Sequence, residues 1–204
     1  VTLDDALDQI ADIRSQMAST RVFRGFRSAT TVFSAMVAIV IGRVQSLCIP
    51  DASHHVDQFL ELWLLAGLVC LLVVICGMVI RYRRSDSPLD RELAVQAACQ
   101  FCPCLLAGGL FTYVLCEVSW GSMWILPGVW AIFFGMGILA SRQLLPAGTW
   151  LIGAFYIFCG LVSISLSRNG MAFSPWLMAG PFGVGQAMAA GILYWKLERN
   201  RAAR

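Results

Sequence analysis

The chain has 204 residues, 58% hydrophobic and only 13% charged, with a formal net charge of +3 and a mean hydropathy of +0.72. A soluble domain carries about 25% charged residues, so a water-soluble globule is excluded. The apolar residues fall in six uncharged blocks of about 20 residues, each able at about 1.5 Å per residue to cross a hydrocarbon core of about 30 Å. The expected fold is all-α, a polytopic bundle of six transmembrane helices, and what is left over is too divided for a sizeable second domain.

In chain order, residues 1–27 come first. Thr2 and Asp5 form a capping-box-like start, and Leu3, Leu7, Ile10, Ile13 and Met17 make an apolar stripe on a cytoplasmic amphipathic helix over residues 2–18. Such a stripe needs a cover. The acidic first half of the segment argues against adhesion to anionic lipid, so docking on the bundle or on a partner helix is expected. Arg21, Phe23, Arg24, Phe26 and Arg27 then read as a juxtamembrane anchor. Residues 1–27 show no apolar core ending in a cleavage motif, so the first span reads as a true anchor.

The spans are expected at residues 28–49, 59–80, 93–116, 120–140, 144–166 and 174–195, with a basic tail over 196–204. Lys and Arg fall thirteen to two on alternate connections, Arg43 and Arg168 being the two. Positive loops are retained on the cytoplasmic side, which predicts a multi-pass protein of the inner, cytoplasmic membrane with both termini inside. The positive charge then reads as topology and lipid attraction rather than a nucleic-acid footprint. Trp63, Trp120, Trp176 and Trp195 stand where interface belts are expected.

Small residues every fourth position mark helix contact seams in lipid. The first span carries Ser34, Ala38 and Gly42, the third Ala94, Ala98 and Cys102, and the sixth Gly183, Ala187 and Gly191. These three are expected to be the best-packed helices, the alternative being that one stripe docks a partner subunit or a second copy. Pro146 and Pro175 sit at span beginnings, whereas Pro103, Pro127 and Pro181 are read as lying inside spans and kinking or breaking them. Interrupted helices expose backbone to central sites in transporters. Residues 180–186 are the first candidate for such a break and Leu126, Pro127 and Gly128 the second, with a satisfied structural kink as the other reading.

Ionisable residues at bilayer depth are functional candidates, and here they are scarce. Glu61, Glu117 and Arg43 lie near outer span ends, where an Arg43–Glu117 pair is sensible. No residues are available for a midplane proton relay. Lys196, the only lysine, lies at the end of the last span and argues against a buried Schiff base. Gln96 and Gln100 on the third span and Gln186 on the sixth remain, with Tyr113, Tyr156 and Tyr194. Facing a cavity they would orient a small neutral or amphipathic ligand; facing helices they are interhelical glue.

Of eight cysteines, Cys99, Cys102 and Cys104 cluster on the third span, without the further ligands a zinc site needs. Cys48 and Cys116 are a candidate disulfide at the outer ends of spans one and three. His54 and His55, with Asp51 and Asp57, sit in the first outer loop, where adjacent histidines cannot easily chelate one ion. No metal or cofactor is expected. Catalytic signatures are absent from the sequence, so the chain does not read as an enzyme.

The run W-x-x-x-x-P-F-G-x-G-Q over residues 176–186, followed by Tyr194, Trp195, Lys196, Leu197, Glu198 and Arg199, resembles a family of uncharacterised bacterial six-helix inner-membrane proteins of similar length. That resemblance implies a sensory or regulatory role and carries over no functional residues. Size and helix count are also similar to the substrate-binding subunits of vitamin uptake systems, by architecture alone. Two functions are therefore carried forward. One is binding or translocation of a small molecule through a pocket among spans three, four and six, lined by Gln100, Tyr113, Pro127, Pro181 and Gln186. The other is a non-catalytic sensor, regulatory or assembly subunit that engages a protein partner, or a second copy, through residues 2–18.

Overall fold

Hydrocarbon offers no partner to a backbone N–H or C=O, so a long apolar segment must satisfy its own backbone as a helix. The computed structural model, which describes residues 28–84, 88–146 and 148–198, contains helices and turns and no strand among those residues. The helices are α1 (Ser28–Cys48), α2 (Val56–Arg84), α3 (Pro88–Val118), α4 (Leu126–Ala140), α5 (Thr149–Leu166) and α6 (Pro175–Leu193). A 3₁₀ segment, Trp120–Ile125, leads into α4, and π-helical turns Ser167–Met171 and Tyr194–Glu198 follow α5 and α6. Six helical segments are long and apolar enough to cross a membrane. The chain is a multi-pass membrane protein in contact with the bilayer. The amphipathic helix expected at residues 2–18, with Leu3, Leu7, Ile10, Ile13 and Met17, lies outside the described residues.

Neighbours follow a ring: α2 packs on α1, α1 on α6, α6 on α5, α5 on α4 and α4 on α3, with a further contact between α4 and α6. The two most extensive interfaces, α4–α5 and α1–α6, are both built on glycine. Gly128 and Gly135 on α4 are two turns apart, as are Gly153 and Gly160 on α5, so each pair returns to one face. The helices run antiparallel with Gly128 against Gly160 and Gly135 against Gly153. A Cβ at Gly160 would stand 2.6 Å from the Gly128 carbonyl oxygen, and one at Gly135 would stand 2.7 Å from the Gly153 carbonyl oxygen. Backbone touches backbone here, the close approach that drives helix association where lipid removes the hydrophobic term.

On the α1–α6 side, a Cβ at Gly42 would come within 2.5 Å of the Ala179 Cβ, and Gly183 lies against Ile39. Ala38 and Gly42 of the first-span stripe are buried, as is Gly183 of the sixth, whereas Ala187 and Gly191 are exposed. The third-span stripe is different from expectation. Ala98 and Cys102 are exposed, and α3 instead turns Phe101, Gly108 and Thr112 toward α4, the Phe101 ring lying flat on Gly137. Phe101 and Thr112 fill the α3–α4 interface, leaving Ala98 and Cys102 of the small stripe exposed. Both α2 and α3 are peripheral, with only 11% of their apolar windows buried.

At the end of the bundle away from Ser28, one apolar cluster joins four elements: Phe59, Leu60 and Trp63 of α2, Met123 and Leu126 at the entry to α4, Phe173 before α6, and Met178 and Ala179 on it. At the other end Leu93 and Ala97 of α3 pack with Leu144, with Met78 of α2 against them. The expected Arg43–Glu117 pair does not form. Both residues are exposed, and α1 has α2 and α6, not α3, as its neighbours.

The glycine seams predict a sharp contrast among glycine variants. Gly160→Ala, which drives a methyl into the opposing backbone, should lower the unfolding free energy by about 1–3 kcal/mol in a micelle unfolding titration. Gly67→Ala and Gly109→Ala, whose added methyl meets nothing within 4 Å, should leave it unchanged or slightly raised.

Candidate functional site

The polar groups inside the bundle form three separate sets. Nearest the apolar cluster around Phe59, Gln45 of α1 is fully buried. Its Nε2 donates to the Phe173 carbonyl oxygen at 2.7 Å, and its Oε1 accepts from Trp63 Nε1 at 2.7 Å. One amide thus ties α1, α2 and the segment before α6. Phe173 holds a left-handed φ of 61°, which for a residue with a Cβ stores about 1–3 kcal/mol and persists only when its surroundings impose it. Here they do: the Gln45 bond holds its carbonyl, and the Phe59 ring meets the Phe173 ring edge-on, with centroids 5.0 Å apart.

The second set lies between α5 and α6. Pro181 has no N–H, so the carbonyl one turn earlier, that of Leu177, loses its helical donor. Ser163 Oγ on α5 reaches that carbonyl oxygen at 3.4 Å. The break expected at residues 180–186 is therefore not present: α6 runs unbroken from Pro175 to Leu193 with Pro181 inside it, its orphaned carbonyl served by a neighbouring helix. Pro127 lies inside the fourth span, Trp120–Ala140, as expected, but there it occupies the first turn of α4, where its missing N–H is harmless. The irregularity of that span is the 3₁₀ segment just ahead of it.

The third set is central. Tyr156 on α5 is 0% exposed and touches Phe134 of α4, Phe155 of its own helix and Phe182 of α6, with ring centroids 4.9, 5.9 and 5.3 Å away. Phe101 of α3 extends the stack onto Phe134 at 5.3 Å. The Tyr156 ring lies on the bare backbone of Gly185, where a Cβ would stand 2.5 Å from the ring Cζ. Its hydroxyl has no hydrogen-bond partner, although Gln186, the next residue along α6, is its polar neighbour. A buried hydroxyl left in this state is destabilised by about 1–3 kcal/mol.

Of the five candidate lining residues, the structure brings Gln186 to this centre, with Pro181 next to the Phe182 that forms part of it. Gln100 is half-buried on α3, with its Oε1 buried and unpartnered, beside the Phe101 that joins the stack. Tyr113 is 64% exposed on the outward face of α3. Pro127 is fully buried in the first turn of α4, next in the chain to Gly128. Among the described residues no group of three or more His, Cys, Asp or Glu is placed to hold a metal, and the His54 ring Nδ1 lies 3.2 Å from Ser53 Oγ. All eight cysteines are free thiols, Cys48 exposed and Cys116 partly buried against the Phe59 cluster.

Sequence reasoning passed over Gln45, Tyr156 as a core residue, Ser163 and Thr112. Thr112 Oγ1 accepts from Trp130 Nε1 at 2.8 Å and donates to the Gly108 carbonyl oxygen at 2.8 Å, linking α3 to α4. Trp63, read as a belt residue, is buried, whereas Trp120, Trp176 and Trp195 are exposed. Comparison of the chain with protein-family models, with curated proteins and with solved structures finds no match.

Two measurements check these assignments. Gln45→Leu strands both the Trp63 indole and the Phe173 carbonyl, and should lower stability by about 2–4 kcal/mol with a shift in indole fluorescence. A double-mutant cycle tests the proline repair: Ser163→Ala should be destabilising by about 0.6 kcal/mol in the native chain and by nothing in the Pro181→Ala background, where the helix supplies its own donor.

Proposed function

We propose that this chain is a non-catalytic membrane sensor, regulatory or assembly subunit that engages a protein partner. The observation that carries the reading is the filled centre. Where a carrier among α3, α4 and α6 needs a polar cavity, Phe101, Phe134, Tyr156 and Phe182 stack against one another and against Gly185. The glycine contacts on both sides leave α4, α5 and α6 little freedom to separate, because interlocked backbones are either together or apart. The spans supply no midplane carboxylate, histidine or lysine with which to couple transport or run chemistry. The asymmetry of Lys and Arg supports a place in a bacterial cytoplasmic membrane with both termini inside, where the stripe of Leu3, Leu7, Ile10, Ile13 and Met17 would meet its partner.

A second reading keeps one observation of its own. The unpartnered Tyr156 hydroxyl beside Gln186, at the centre of the aromatic stack, is a place where a small neutral ligand would gain a buried hydrogen bond. Native mass spectrometry of the protein extracted gently from its membrane separates the two. The proposal expects a stoichiometric protein partner that disappears when residues 2–18 are deleted. A bound small molecule that disappears in Gln186→Leu, with no protein partner present, would overturn it.

A further inference from the structure

We propose that the groove between α1 and α6 seats one acyl chain of an anionic phospholipid, drawn from the leaflet at the Ser28 end of the bundle. The two helices touch closely at Gly42 and Ala179 and again where Gly183 meets Ile39. From there toward Ser28 and Tyr194 they part. Ala187 is exposed, and a Cβ built on Gly191 would meet nothing within 4 Å. The result is a groove of about 500 Å³, with Val32, Met36 and Ile39 as one wall, Ala187 and Gly191 in its floor, and Ser28 and Tyr194 at its mouth.

Its length says what occupies it. From Ser28 to Ile39 the wall rises about 16 Å at about 1.5 Å per residue, close to half of a hydrocarbon core of about 30 Å. The groove therefore runs from the membrane surface to the midplane and is closed there by the Gly183–Ile39 contact. An acyl chain has this extent and direction. A helix from a second copy would continue through the midplane, where the closed α1–α6 seam gives it no groove to follow.

The chemistry along the groove changes as a phospholipid does. Its depth is apolar, and the small floor residues let a methylene chain lie in close van der Waals contact with backbone. At the mouth are a serine and a tyrosine, with the exposed Lys196 in the turn that Tyr194 begins. Lys196 presents positive charge to a headgroup here, a basic residue near the surface adding about 1 kcal/mol, or about fivefold, in favour of an anionic lipid.

Native mass spectrometry of the purified full chain in a non-ionic detergent, given equal amounts of phosphatidylglycerol and phosphatidylcholine with the same acyl chains, tests this. The unaltered protein should retain phosphatidylglycerol preferentially. Gly191→Phe, and separately Ala187→Leu, fill the groove from positions exposed on α6 and should strip both lipids, while Gly109→Phe on the open face of α3 should change nothing. Lys196→Gln should lower the preference for phosphatidylglycerol about fivefold and spare phosphatidylcholine. Helical circular dichroism confirms that each variant is folded. Retention that survives both groove-filling variants, or falls equally in Gly109→Phe, would overturn the proposal. A dimer in the native chain that becomes a monomer in Gly191→Phe would overturn it in favour of a second copy.

Discussion

Everything in this bundle hangs on helices that approach until their backbones touch. In water the burial of apolar side chains would hold such helices together, but in a bilayer the surrounding lipid is as apolar as leucine and that driving force is absent. What remains is contact, and contact is greatest where no Cβ intervenes. The pairing of Gly128 with Gly160 and of Gly135 with Gly153 brings α4 onto α5 through their main chains, and Gly42 against Ala179 does the same for α1 and α6. Once these two pairs are closed and α5 meets α6, the aromatic stack of Phe134, Tyr156 and Phe182 is confined between them and α2 and α3 are left to lie outside.

The polar interior follows from the same scarcity. With no water at hand, each exception to helical self-sufficiency is met by one side chain placed for it: Ser163 for the carbonyl that Pro181 abandons, Gln45 for the turn at Phe173, Thr112 for the Trp130 indole. The Tyr156 hydroxyl is not met, and neither are Gln100 Oε1, Ser141 Oγ and Ser167 Oγ.

The six spans were legible because hydropathy over about 20 residues is a strong signal, and the seam between α1 and α6 was legible at Ala38, Gly42 and Gly183. The α4–α5 seam was not, because its glycines recur every seven residues rather than every four, with Ile132 and Ile157 between them. The α3 stripe misled for the opposite reason: small residues at the right spacing mark a face that can approach closely, not one that does. Trp63 near the start of the second span read as interfacial and Gln45 near the end of the first drew no reading, and only the antiparallel pairing of α1 with α2 shows that they meet. The helix break at residues 180–186 failed because a proline's effect depends on whether a neighbouring helix offers a donor, and Ser163 gave no sign in the sequence that it would. Leu3, Leu7, Ile10, Ile13 and Met17 lie outside the described residues, so the partner-binding half of the functional reading rests on their periodicity.

The most direct test is magic-angle-spinning solid-state NMR of the glycine-labelled protein in lipid bilayers. Glycines 18 or 32 positions apart in the chain give through-space correlations only if the helices that carry them are in contact. The account predicts cross-peaks between Gly128 and Gly160 and between Gly135 and Gly153. Their absence, or a correlation of Gly128 with Gly153 in their place, would show that α4 and α5 do not meet in this register and would contradict the architecture built on it.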